Sequence, residues 1–173
     1  MFIETDRLVI RDLETSDGAI FADMASDGSL VPVGLDSAFR EWVDEWLTDA
    51  QQLAKNDDPA VEYLAYTIEL KGTQQVVGSV GCSYYKDLEK IGICYFIGTE
   101  YRKHGYAAEA VKAYVPYFLQ RYQQDEIIAT VLESNVPSWK TVEKAGFTLT
   151  EKKQYQDFDD ASEQPYRFYR YTL

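Results

Sequence analysis

The sequence predicts a mixed α/β fold built as one domain. Three observations lead to it. Strand-length apolar runs crowd the middle of the chain. Two strand-to-helix passages follow them, and two more strand-like runs close the sequence. The chain has 173 residues, 46% of them apolar, enough to bury one core and too many for disorder. No linker, repeat or low-complexity tract divides it, so residues 1–173 read as a single domain.

Leu8 to Leu13 reads as a strand, and Asp17 to Ser26 as a helix capped by Ser16 or Asp17. Gly28 and Pro32 mark a loop. Ser37 is placed to cap a second helix, where Phe39, Trp42, Trp46, Ala50 and Leu53 recur every three or four residues. That spacing reads the tryptophans as core residues more readily than as part of a cofactor box. Asn56-Asp57-Asp58-Pro59 ends the helix. Strands follow at Glu62 to Leu70, Val76 to Tyr85 and Lys90 to Ile97, the first two joined by Lys71-Gly72-Thr73.

The helix after Gly105 is expected to bury Val111, Tyr114, Val115 and Phe118. Pro116 lies inside it, lacks an N–H and opposes the Lys112 carbonyl, so a kink or irregularity is expected. The remainder reads as strand Ile127 to Leu132, helix Ser138 to Ala145, strand Phe147 to Gln156 and strand Arg167 to Thr172. An acidic loop, Asp157-Phe158-Asp159-Asp160, separates the last two.

The net charge of −12 argues against a nucleic-acid partner, which an acidic surface repels, and is compatible with cationic substrates such as amines. Solubility alone also accounts for it. Locally the sign reverses at Arg102, Lys103 and His104 and at Lys140 and Lys144, which suits an anionic cofactor. No apolar run approaches the roughly 18 residues of a membrane span. Glu4 and Asp6 interrupt any secretory signal, so a cytoplasmic location is expected. With a turn centred on Leu88, Cys82 and Cys94 would face each other across a hairpin, and a reducing compartment favours two buried thiols over a disulfide. Their spacing matches no zinc pattern and there is one histidine, so no metal is expected.

The most informative stretch is Tyr101 to Val111. A β-rich run ends just before it, a helical run follows, and Arg102-x-x-Gly105-x-Ala107 lies between. Such a junction turns several backbone N–H groups toward one point at the positive end of a helix. Gly105 has no Cβ to keep a ligand off the main chain. A phosphate or pyrophosphate is the natural guest, although a tight strand-to-helix turn explains the same residues. Neither a P-loop nor Gly-x-Gly-x-x-Gly is present. A second segment follows the run Ile127 to Leu132: Asn135-Val136-Pro137-Ser138-Trp139-Lys140-Thr141-Val142-Glu143-Lys144-Ala145-Gly146-Phe147.

Together these segments resemble the acyl-CoA site of the GNAT superfamily of N-acetyltransferases. The opening Ile3 to Arg11 is similar to the first strand of the branch that acetylates the N-termini of ribosomal proteins. The resemblance spans nearly the whole chain in order. It implies a mostly antiparallel sheet with helices on both faces. It also implies that strands Lys90–Ile97 and Ile127–Leu132 splay apart to hold the pantetheine arm of acetyl-CoA.

Residue by residue, the resemblance implies that backbone N–H groups of Arg102, Lys103, His104, Gly105, Tyr106 and Ala107 hold the pyrophosphate, with Ala108 close by and Arg102 adding charge. The His104 ring is expected to face solvent, and Glu109 to serve the first helical turn. Asn135 would touch the pantetheine arm or cap the last helix, and Lys140 would reach a CoA phosphate. An oxyanion would meet a backbone N–H of Tyr95, Phe96 or Ile97, at a bulge that the family has there. Ser138 would hydrogen-bond the leaving sulfur, cap the last helix, or both.

Two departures stand out. Val142 occupies the place where many relatives have an acidic tyrosine, and Gly92 the place of a glutamate base. Other carboxylates on offer are Asp87, Glu89, Glu133 and the acidic loop, each readable as a solvated charge. An α-amine, with pKa of about 8, is substantially neutral at pH 7.5, whereas a lysine is neutral in about one part in a thousand. A site without a strong base therefore points to a peptide or protein α-amine acceptor. A small amine, such as an aminoglycoside or polyamine, is the first alternative. A non-catalytic acyl-CoA-binding domain is the second. Tyr84, Tyr85, Tyr166 and Tyr169 either line the acceptor pocket or fill the core. The oligomeric state stays open, a homodimer included.

Overall fold

The computed structural model describes residues 1–157 and 160–173. In chain order the elements are β1 (Phe2–Glu4), β2 (Leu8–Arg11), α1 (Asp17–Ala25), α2 (Phe39–Asn56), β3 (Tyr63–Leu70), β4 (Val76–Tyr85), β5 (Lys90–Ile97), α3 (Tyr106–Arg121), β6 (Glu126–Leu132), α4 (Val136–Lys144), β7 (Thr148–Tyr155) and β8 (Gln164–Thr172). The strands form one sheet in the order β1-β2-β3-β4-β5-β6-β8-β7. Every neighbouring pair is antiparallel except β5 and β6. Those two touch at a single register position, Gly92 opposite Ile128, and part beyond it. The expected splayed pair is therefore present.

Helices cover both faces. On one, Val111, Tyr114, Val115 and Phe118 of α3 and Val142 of α4 pack against Ile10, Ile68, Val80, Ile93 and Ile127. The α3 residues fall three or four apart, which puts them on one stripe. Each is fully buried, and burial of one such side chain stabilises by about 1.5–3 kcal/mol. On the other face, Phe21 of α1 and Phe39, Val43 and Leu47 of α2 pack against Val76 and Phe96.

Five local expectations need correction. The α2 tryptophans are not in the core: Trp42 is exposed, and Trp46 packs half-buried against the core. No irregularity interrupts α3 at Pro116. Its ring lies on the half-exposed side, and the Lys112 carbonyl that loses a donor belongs to an exposed residue, where water can serve it. Ser37 does not cap α2. Ala38 is at the cap position, and its N–H is held by Asp36 Oδ1 at 2.9 Å. Helix α4 begins earlier than expected because Asn135 caps it, leaving Ser138 in its first turn. Finally, Cys94 pairs with Gly81, and Cys82 with Ile93. The β4–β5 turn thus centres between Asp87 and Leu88, half a residue from the expected point. That shift sends the two thiols to opposite faces, and both are free.

One polar cluster ties the first helix to the sheet. The Asp17 carboxylate, 1% exposed, accepts from Arg11 Nη1 at 2.8 Å and Nη2 at 3.0 Å, from Thr67 Oγ1 at 2.6 Å and from the Glu14 N–H at 2.8 Å. Arg11 also reaches Glu69 at 2.8 Å. Asp17 is thus an anchor between helix and sheet, while Ser16 stands at the cap position without a side-chain bond.

Candidate active site

Strand β5 ends at Ile97, a short 3-10 turn covers Thr99–Tyr101, and α3 starts at Tyr106. Gly105 holds the cap position at φ +83°, a left-handed conformation that glycine adopts without strain. No side chain caps this helix. Among the described residues, none of the N–H groups of Lys103, His104, Gly105, Tyr106, Ala107 and Ala108 has a protein acceptor. The first intrahelical bond is made one residue later, by the Glu109 N–H to Gly105 O at 3.1 Å. Six donors therefore gather where the helix dipole is positive.

Arg7 holds this loop from the side. Its Nη1 donates to His104 O at 3.0 Å and its Nε to Glu109 at 2.7 Å, and its guanidinium lies 4.9 Å from the Tyr106 ring centroid. Glu109 also accepts from Thr5 Oγ1 at 2.6 Å. Burial opposes ionisation of this carboxylate, but the bonds from Thr5 and Arg7 win and hold its pKa below the ordinary range. Glu109 is a brace, consistent with the structural role read from the sequence. The exposed His104 ring stacks on Tyr106. Beside the loop lies a cavity of about 500 Å³, lined among others by Arg7, Gly105, Ala108, Lys112 and Lys144.

Arg102 turns the other way. Its Nε donates to Ile97 O and its Nη2 to Ser29 Oγ, each at 3.0 Å, so its charge sits at the strand end. Lys140 leans toward the Trp139 ring, and it is Lys144, one helical turn further on, that lines the cavity.

The β5–β6 gap opens next to this loop. The Gly98 N–H bonds to Val77 O on β4. Alternation along a strand then directs the Phe96 amide to β4 and the Tyr95 and Ile97 amides into the gap. The β4–β5 ladder keeps one register throughout, without the bulge expected at Tyr95–Ile97. Across the gap, Asn135 Oδ1 accepts the Ser138 N–H at 3.3 Å, and the Ser138 hydroxyl lies 2.9 Å from Tyr95 Oη. Tyr95 Oη also donates to Ser138 O at 3.0 Å. Burial pushes the Tyr95 phenol up to about 12, against the pull of its bonds to Ser138 and Thr141.

On the face of the sheet opposite α3, the ring of Tyr85 covers Gly92. Thr130 Oγ1 donates to Tyr85 Oη at 3.1 Å, and burial raises the Tyr85 pKa well above 10. Cys94 shares this face, with its thiol 3.2 Å from Ser83 Oγ.

A comparison with known families agrees with this architecture. Residues 7–148 match the acetyltransferase (GNAT) domain. The chain belongs to the GNAT acetyltransferase family. It is 26% identical over 147 residues to an uncharacterized N-acetyltransferase, YnaD, of Bacillus subtilis, covering 84% of this chain and 82% of the relative. A GNAT acetyltransferase from Bacillus anthracis superposes with a TM-score of 0.81 at 20% identity, covering 99% of this chain and 98% of that one. A ribosomal L7/L12 α-N-protein acetyltransferase in complex with coenzyme A superposes at 0.80 with 13% identity, over 100% of this chain and 98% of that one. The GNAT fold thus accounts for the eight-stranded sheet and its splayed pair.

In this GNAT protein three of the carboxylates named above are held by other side chains. Glu133 binds Lys152 and Arg167, each at 2.8 Å. Asp87 accepts from Tyr155 Oη at 3.0 Å. Asp160 accepts from Tyr166 Oη at 2.9 Å and from the Asp157 N–H at 3.1 Å. Glu89 sits in the β4–β5 turn at φ 51°. Phe158 and Asp159 of the acidic loop lie outside the described residues. Tyr166 and Tyr169 are buried, Tyr169 in the core. Among the described residues no helix is long and apolar enough to cross a membrane. Sequence reasoning missed the Tyr95 side chain, Arg7 and Lys112. Arg7 reaches the loop from the other end of the chain, Lys112 from the second turn of α3, and the Tyr95 side chain from β5 across to α4.

Proposed function

We propose that this enzyme moves the acetyl group of acetyl-CoA to a primary amine by direct attack in a ternary complex, and that the acceptor is a peptide or protein α-amine. One observation carries the reading: six N–H donors from Lys103 to Ala108, without protein acceptors, at the mouth of a splayed strand pair. Oriented neutral donors at a helix N-terminus fit a diphosphate. Lys112 and Lys144 would add charge from the flanking cavity. Bound acetyl-CoA supplies the activated acyl group, and the chain's own residues do the rest. The Tyr95 or Ile97 amide would stabilise the developing oxyanion by about 3 kcal/mol. The Ser138 hydroxyl would donate to the departing sulfur.

The acceptor class is read from the lack of a strong base at residue 92. Tyr85 fills the space beside Gly92, and its raised pKa makes it no base. An amine that is already partly neutral suits such a site. The coenzyme A complex of the α-N-protein acetyltransferase shares this fold, which supports the same acceptor class.

The test is an acceptor panel at pH 7.5 and pH 9. Peptides with a free α-amine should react at least tenfold faster at pH 7.5 than α-blocked peptides carrying lysine, roughly as the neutral fractions require. The ratio should narrow at pH 9, because the α-amine has nearly finished deprotonating while lysine continues. Equal rates at pH 7.5, or transfer to aminoglycosides alone, would overturn the α-amine assignment.

A further inference from the structure

Tyr95 on β5 and Ser138 in the first turn of α4 are 43 residues apart in sequence and meet at the mouth of the gap. Their hydrogen bonds can be counted. Tyr95 has one O–H. Two acceptors lie within reach of it: Ser138 O at 3.0 Å, which can only accept, and Ser138 Oγ at 2.9 Å. Two arrangements satisfy the pair. In the first, Tyr95 donates to the carbonyl and the Ser138 hydroxyl donates back to Tyr95. In the second, Tyr95 donates to Ser138 Oγ, and the Ser138 proton is free to point into the gap. Rotation of two hydroxyl hydrogens interconverts them, with no movement of heavy atoms.

We propose that Tyr95 is a positioning residue for acetyl transfer, releasing and aiming the Ser138 hydroxyl proton at the sulfur that leaves coenzyme A. The inference rests on the acetyl-CoA reading above. It explains how the site works with Val142, fully buried in the core, where an acidic tyrosine is expected. Attack forms the C–N bond, and the C–S bond then breaks with its electron pair kept on sulfur. The surplus amine proton passes to water. Ser138 donates to the sulfur and Tyr95 donates to Ser138, a chain in which each bond polarises the next. No proton leaves either residue. Burial keeps Tyr95 in its protonated, donating form across neutral pH.

The experiment compares wild type, Tyr95→Phe, Ser138→Ala and the double variant. Two readouts are used: turnover, and the ionisation of the bound coenzyme A thiol. The second is followed by ultraviolet titration with desulfo-coenzyme A as blank. Tyr95→Phe should lower kcat roughly three- to tenfold, the scale of one weakened hydrogen bond, with KM for acetyl-CoA unchanged. It should also raise the pKa of the bound thiol. The double variant should be no worse than Ser138→Ala, because Tyr95 acts only through Ser138. An unchanged thiol pKa in Tyr95→Phe would overturn the inference, whether turnover is unchanged or falls together with thermal stability. Additive losses in the double variant would overturn it too. Either result leaves cofactor binding intact, whereas a wild-type protein that does not bind coenzyme A removes both readings.

Discussion

The ring of Tyr85 occupies the space above Gly92: a Cβ at residue 92 would stand 2.5 Å from Tyr85 Cε2 and 3.1 Å from Cδ2. The two residues are linked through the sheet, since Gly92 pairs with Ser83 and Tyr85 closes the same hairpin against Lys90. A glycine here is the condition for the half-buried tyrosine ring there. Any side chain at residue 92, a glutamate included, must displace a ring that Thr130 holds by its hydroxyl.

Gly92→Ala should therefore destabilise the protein by about 1–3 kcal/mol, the usual cost of overpacking. Urea unfolding measures it. Gly92→Ala in a Tyr85→Ala background should be close to neutral relative to Tyr85→Ala alone. An equal loss in both backgrounds would show that the ring is not the obstacle.

Asp17 yields a prediction about acid. Burial works to raise its pKa, but Arg11, the Glu14 N–H and Thr67 outweigh burial and leave it below its ordinary 3.8. A depressed carboxylate stabilises the fold above its unfolded pKa, and that contribution is lost as pH falls through the folded value. Thermal stability of the wild type should fall as pH drops below about 4. Asp17→Asn should cost about 1–3 kcal/mol at pH 7, because Arg11 keeps Glu69 but loses its charge-assisted bonds to Asp17. Its melting temperature should also depend less on pH in that range. A variant with the wild-type acid profile would place the titrating group elsewhere.

The two lysines of α4 should separate cleanly. Lys144 lines the cavity beside the Gly105 loop, and Lys140 leans on Trp139. Lys144→Ala should weaken coenzyme A binding roughly three- to tenfold, the scale of one charge-assisted hydrogen bond, and Lys140→Ala by less than twofold. Calorimetry at low and high salt distinguishes them, since only the Lys144 effect should shrink with salt.

Gly105→Ala should lower coenzyme A affinity at least tenfold. The left-handed φ of +83° costs a residue with a Cβ about 1–2 kcal/mol, and the loop should relax away from it. The added Cβ itself would make only an ordinary van der Waals contact, with Arg7 Nη2 at 3.5 Å. The protein should therefore stay folded, with a small drop in melting temperature. Full affinity in the folded variant would show that the loop conformation does not matter for binding.

The fold was largely readable in the sequence, because apolar periodicity sets each strand and helix face directly. The Val111-Tyr114-Val115-Phe118 stripe and the three middle strands are cases. The junction from Arg102 to Ala107 was readable too, as a tight passage from strand to helix, since it is a contiguous backbone stretch. What local pattern could not supply was register and reach. Half a residue in the β4–β5 turn decides whether Cys82 and Cys94 share a face. The direction of the Arg102 side chain depends on Ser29, 73 positions away. The sequence points only to the Tyr95 backbone, because nothing near it in sequence announces Ser138. Ser37 has the composition of a cap, yet the helix starts one residue later, at Ala38, where Asp36 holds the N–H and no side chain caps the first turn.

The most direct test of the central claim is a titration of isotope-labelled protein with coenzyme A, following backbone amide resonances. The N–H signals of Lys103 to Ala108 should shift most and saturate together with binding. Those of β7, an edge strand on the far side of the sheet, should stay in place. Saturable binding that leaves the six loop amides unmoved would contradict the account, as would no binding at all.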